Sequence, residues 1–175
     1  MDSGELLELR EHAGRRDERR IALTMAVMAA ALALVTLMGH RLHTEEVVLQ
    51  TKVVDGWAYY QAKNTRSQMY AADAKLAELQ GAAGAELSQA WIAKAAQEKE
   101  QADQIRADTE VLDQATERTA RHANFFDASE VFLEVSIVLC SIALLTGNAR
   151  FWQVSFAGAA IALATTVMGL WPTGH

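Results

Sequence analysis

One proline and one cysteine occur in 175 residues, and aromatic residues make up 7% of the chain. Average usage is about 5% proline, so the commonest helix breaker is nearly missing. A single cysteine excludes an internal disulfide framework and a cysteine-based zinc module. The shortage of turn residues argues against a β-sandwich, whose short strands need frequent turns. The formal charge of −6, with basic residues interleaved among acidic ones, argues against nucleic-acid binding. What is present is a division into extremes: three nearly uncharged apolar stretches and a long polar remainder.

The first apolar stretch covers residues 21–38 and the third covers 151–171, both without charge. The second covers 135–146 and extends out to Phe132. A bilayer core needs about 20 predominantly apolar residues per helix. The expected membrane helices are therefore 21–39, 129–146 and 151–171. The first is not read as a cleaved signal peptide, because acidic residues crowd the region before it and no small-residue cleavage pattern follows. Arg10, Arg15, Arg16, Arg19 and Arg20 precede it, whereas Arg41 and Lys52 are the nearest cations after it. The short connection 147–150 carries one arginine, and the tail 172–175 carries none. The positive-inside rule then puts an N-terminal helical segment 1–20 and the loop 147–150 in the cytoplasm. The middle segment 40–128 and the C-terminus face outward.

The middle segment lacks proline and is rich in helix-forming Ala, Gln, Glu and Lys. Two stripes with alternating three- and four-residue steps can be counted, the spacing of a coiled-coil seam. One is Ala58, Ala62, Thr65, Met69, Ala72, Leu76, Leu79 and Ala83. The other is Ala102, Ile105, Thr109, Leu112, Thr116, Thr119, Ala123 and Phe126. The glycines of GAAG at 81–84 predict a reversal between arms 40–80 and 85–128. The arms are nearly equal in length, as they must be if both ends return to one membrane face. The fold expected is all-α: three transmembrane helices with a long antiparallel coiled-coil hairpin inserted between helices 1 and 2. A kinked single coil, or a bend near Trp91, is the alternative.

Several strings are distinctive: GHRLHTEEVVLQ at 39–50, DGWAYYQAKNTR at 55–66, FDASEV at 126–131 and CSIALLT at 140–146. Together they resemble a bacterial membrane-protein family catalogued as domain of unknown function 4337. The resemblance implies a bacterial integral membrane protein, and the reading of the spans and arginines places it as a multi-pass protein of the inner membrane. It implies no activity and carries no catalytic residues.

Four constellations are candidates for function. Trp57, Tyr59, Tyr60 and Lys63 place aromatic and cationic groups on an Ala-rich arm. They are read either as a docking patch or as packing against the returning arm. Asp127, Glu130 and Glu134 share a helix face near lipid and need partners, with Arg41, His40 and His43 at the same level. They form either an interfacial charge cluster that fixes helix 1 against helix 2 or an acidic ring at a pore mouth. His40 and His43 are weak candidates for a metal site. Small residues on the membrane helices (Ala22, Ala26, Ala29 and Ala33; Gly158, Ala162, Thr165 and Gly169) allow close helix contact, within a protomer or between protomers. No phosphate-binding loop or catalytic set is evident. The expectation is a non-enzymatic scaffold without cofactor or small-molecule substrate. Its partners would be the lipid bilayer and a second copy of itself or another membrane protein. An oligomeric ion-conducting or transport-accessory protein is the alternative.

Overall fold

The computed structural model describes residues 3–171, with side chains from Asp17 onward. The arginines Arg10, Arg15 and Arg16 as side chains, and the tail 172–175, lie outside the described residues. The described chain is helical throughout: α1 (Ser3–Glu78), a single 3-10 turn (Gly81–Gly84), α2 (Ala85–Thr146) and α3 (Ala149–Leu170). The absence of proline and the abundance of Ala, Glu, Gln and Leu leave nothing to interrupt α1 or α2. In particular, α2 runs through Trp91 without a bend-forming break, which removes the alternative of a reversal there.

Helix ends fall where the sequence has chemistry for them. Gly81 and Gly147 both take φ +66°, the left-handed conformation that closes a helix and that glycine adopts without steric cost. Asn148 then opens α3, its side chain accepting from the Arg150 backbone N–H at 3.1 Å.

The chain divides into two compact units. One comprises Met1–His43 with Ala120–His175, the other Thr44–Thr119. In the first, α1 buries Ile21, Met28 and Val35, one residue every seven. Ile21 and Met28 pack with Cys140 and Ala143 of α2. Val35 packs with Phe126, Leu133 and Ala162. The buried line of α3 is Ser155, Ala162 and Gly169, again seven apart and all small. Hydroxyls on these lines are satisfied by neighbouring backbone. Ser129 Oγ donates to the Ala162 carbonyl at 2.8 Å and lies 2.6 Å from Thr166 Oγ1, and Ser136 Oγ donates to the Phe132 carbonyl at 2.7 Å. A polar group in an apolar surround has to be paired in this way. Of the two predicted small-residue stripes, that of α3 faces inward. Ala22, Ala26, Ala29 and Ala33 of α1 are all exposed. Large apolar side chains, among them Leu23, Leu34, Val138 and Leu163, also face outward.

In the second unit the two segments run in opposite directions. Gly56 lies against Thr109, Lys63 against Glu98, Ser67 against the Ala95 carbonyl and Tyr70 against Trp91. As the number rises on one segment it falls on the other. On α2 the inward residues include Ala102, Ile105, Thr109, Leu112, Thr116 and Thr119, the stripe expected, and the line continues back through Glu98, Ala95, Trp91 and Ser88. On α1 the expectation is corrected. The inward line is Val53, Gly56, Tyr60, Lys63, Ser67, Tyr70, Ala74 and Ala77, whereas the stripe counted from sequence, Ala58 to Leu79, is exposed. Both lines have the same three-and-four spacing, two residues apart. A count of apolar residues selects the outer one, because the inner one is built of small and polar side chains.

Gly158 tests the closeness of α2 and α3. A Cβ at this position meets Ser136 Oγ. Gly158→Val is expected to destabilise the protein by about 1–3 kcal/mol through overpacking, read as a lower thermal midpoint in detergent by circular dichroism. Ala160→Val, on the exposed face, is expected to leave it unchanged.

Candidate functional site

The predicted charge cluster is only partly assembled. His43 Nε2 lies 3.1 Å from both Asp127 carboxylate oxygens. Thr36 Oγ1 donates to Glu130 Oε1 at 3.0 Å in a partly buried setting. Thr36 and His43 are seven residues apart and so share a face of α1. Asp127 and Glu130 share the facing side of α2. Gly39 sits between these two ties, where its position is 3.6 Å from Phe126 Cβ and 3.7 Å from Asp127 Oδ1 once a Cβ is drawn. The small residue lets the helices approach. Arg41 and Glu134 are exposed and take no part in the cluster. His40 is also exposed. Among the described residues no three His, Cys, Asp or Glu side chains converge as a metal site.

Two contributors escaped the sequence reading. Thr36 supplies the donor to Glu130, and the signal was its seven-residue offset from His43. His122 Nδ1 lies 2.8 Å from the Gly169 carbonyl, one of the last carbonyls of α3, which a helix leaves unpaired. Nothing in the sequence joins residues 122 and 169.

The aromatic patch on α1 separates into two faces. Trp57 and Tyr59 are exposed, and Trp57 meets Tyr60 edge to face with ring centroids 5.8 Å apart. Lys63 points inward. Its Nζ donates to Gln101 Oε1 at 2.6 Å and lies 3.1 Å from Glu98 Oε2. The Tyr59 ring covers the ammonium at 5.8 Å. Both members of the ion pair are largely removed from water. Two layers along, beyond Ser67, Tyr70 stacks on Trp91 at 5.1 Å, and Lys94 lies 4.8 Å over the Trp91 ring. Lys63 is therefore an interior residue and not part of a docking surface. Glu98 and Gln101 are the partners that sequence spacing alone did not connect to it.

A chain of three helices, each long and apolar enough to cross a membrane, is what the described residues define. The family model for the domain of unknown function DUF4337 matches residues 17–172, and the chain belongs to that family. No curated protein and no solved structure matches it.

Two outcomes test these contacts. Removing one partner of the Lys63–Glu98 pair leaves a charge in a poorly hydrated seam. Lys63→Ala is expected to cost about 3 kcal/mol, whereas Lys63→Leu with Glu98→Leu is expected to be neutral or stabilising. Thermal unfolding of the full chain in detergent checks both. The more exposed His43–Asp127 contact should show a coupling below about 1 kcal/mol in a double-mutant cycle with His43→Ala and Asp127→Asn.

Proposed function

We propose that this protein is a non-enzymatic, multi-pass membrane scaffold. In this reading it presents a coiled-coil hairpin, inserted between the first and second membrane helices, as an interaction surface. The hairpin stands outside the bilayer and associates with a second copy or another membrane protein. The observation that carries the reading is the contrast between two kinds of helix face. The spans 21–39, 129–146 and 151–171 turn large apolar residues outward, as Leu23, Leu34, Val138 and Leu163 do. An exposed apolar area of that extent suits lipid rather than water. The helices of Thr44–Thr119 instead carry a mixed polar surface over a narrow inner line with the three-and-four spacing of a coiled coil.

The charge cluster supports an anchoring role over a pore mouth. Asp127 is engaged by His43, and Glu130 accepts from Thr36, so these carboxylates tie α1 to α2. A ring of free acids favouring cations has no comparable support. The arginine bias before the first span supports a cytoplasmic N-terminus and an extracytoplasmic hairpin in the bacterial inner membrane.

Substituted-cysteine labelling in a Cys140→Ser background tests the topology. A membrane-impermeant maleimide added to intact spheroplasts is expected to label Gln104→Cys and not Asn148→Cys. Labelling of Asn148→Cys alone reverses the orientation, and failure to label Gln104→Cys even after permeabilisation refutes the exposed hairpin.

A further inference from the structure

The stripe left outside on α1 has the periodicity of a seam but no partner in the chain. Met69 is 60% exposed, Leu76 61% and Leu79 83%. With Ala62, Thr65 and Ala72 between them, they keep the alternating three- and four-residue steps over the whole segment. The inner line lies two residues away, about 200° around a helix, so α1 carries two opposite seams. The second segment of Thr44–Thr119 covers one of them. The corresponding outward line of α2 carries Gln97, Glu100, Gln104, Gln114 and Arg118, all exposed, with Ala107 and the 68% exposed Val111 among them, so it is the more polar of the two outward lines.

We propose that this outer face docks in parallel, in register, on the same face of a second copy of the chain. The proposal rests on the membrane-anchored hairpin reading above. Two copies inserted with the same orientation present α1 in the same direction, so the contact is isologous about an axis normal to the bilayer. The stripe then forms layers of identical residues, with Leu76 on Leu76 and Leu79 on Leu79. The flanking positions agree with this pairing. In a parallel seam a residue on one flank meets the residue five further along on the partner. Arg66 then faces Gln61 of the partner subunit, and Asp73 faces Gln68 of the partner subunit. Each of these charges meets an amide that can donate or accept. Tyr59, exposed on the same flank, faces Val54 of the partner subunit, and Val54 is itself 62% exposed. The occupant is therefore a helix with this same repeat and these same flanks.

The test uses the full chain with Cys140→Ser in lipid vesicles, oxidised with copper phenanthroline. Leu76→Cys and Leu79→Cys are each expected to form disulfide-linked dimers, in yields several-fold above Ala93→Cys on the outward face of α2. Equal yields at all three positions indicate random collision and overturn the docking. Dimers that require Ala62→Cys together with Leu79→Cys in one chain, with neither variant linking alone, indicate antiparallel contact and overturn it as well. Ala93→Cys also reports the underlying reading through labelling by an impermeant maleimide in vesicles opened by a pore-forming toxin. Labelling without any Leu76→Cys or Leu79→Cys dimer overturns the docking and leaves the exposed hairpin standing. No labelling of Ala93→Cys overturns both. An independent check is Leu76→Glu with Leu79→Glu, expected to halve the native mass with helicity unchanged; an unchanged mass overturns the docking.

Discussion

Close approach of helix backbones over small side chains is the constraint on which this structure depends. Ser129, Ser136, Ser155, Ala162 and Gly169 hold one unit together. Gly56, Ser67, Ala74 and Ala77, facing Ser88, Ala102 and Thr109, hold the other. Small residues contribute little transfer free energy each. What they allow is a short interaxial distance, and with it many weak contacts and hydroxyl-to-carbonyl hydrogen bonds across or along the seam. A methyl group added at Gly56 or Gly158 has no space, so the approach is set by the smallest residue at each level.

A seam of that kind is weakly specific, because one small layer resembles the next. In Thr44–Thr119 the Lys63–Glu98–Gln101 set and the Tyr70–Trp91 stack break this degeneracy. A shift by one layer strands a lysine and a glutamate in a dry seam, at a cost larger than the gain from any Ala layer. These groups act on register more than on stability, as single polar positions do in coiled coils. The His43–Asp127 and Thr36–Glu130 ties have the same logic where α1 meets α2 in the other unit. They join helices where carboxylates adjoin an apolar stretch and need partners.

How much was legible in advance depended on which signal carried the information. The apolar spans, the α2 stripe from Ala102 to Thr119 and the glycines at 81–84 and 147 follow from local rules of length, period and backbone conformation. The site was legible by residue type but not by pairing. Asp127 and its candidate partners Arg41, His40 and His43 are visible as types, and the sequence does not choose among the three. Geometry favoured the histidine because position 43 shares a face with Thr36, and position 41 points away. For Lys63 the sequence leaves a docking patch and packing against the returning arm equally open, because lysines are mostly exposed unless paired. Its burial depends on Glu98 and Gln101, thirty-five and thirty-eight residues away.

The sequence by itself determined that the chain is helical, where its apolar spans lie and that α1 carries an apolar stripe of seam periodicity. Composition and period are local properties, and they are printed in the order of residues. Only the tertiary structure decided which of the two stripes on α1 faces inward. The apolar one with Met69, Leu76 and Leu79 stays outside, and the small and polar one is buried. The physical reason is that burial of a face is chosen by the complementarity of the segment opposite it. Glu98, Trp91 and the Ala95 carbonyl fit lysine, tyrosine and serine at close range, and no count of hydrophobic residues on α1 alone contains that choice.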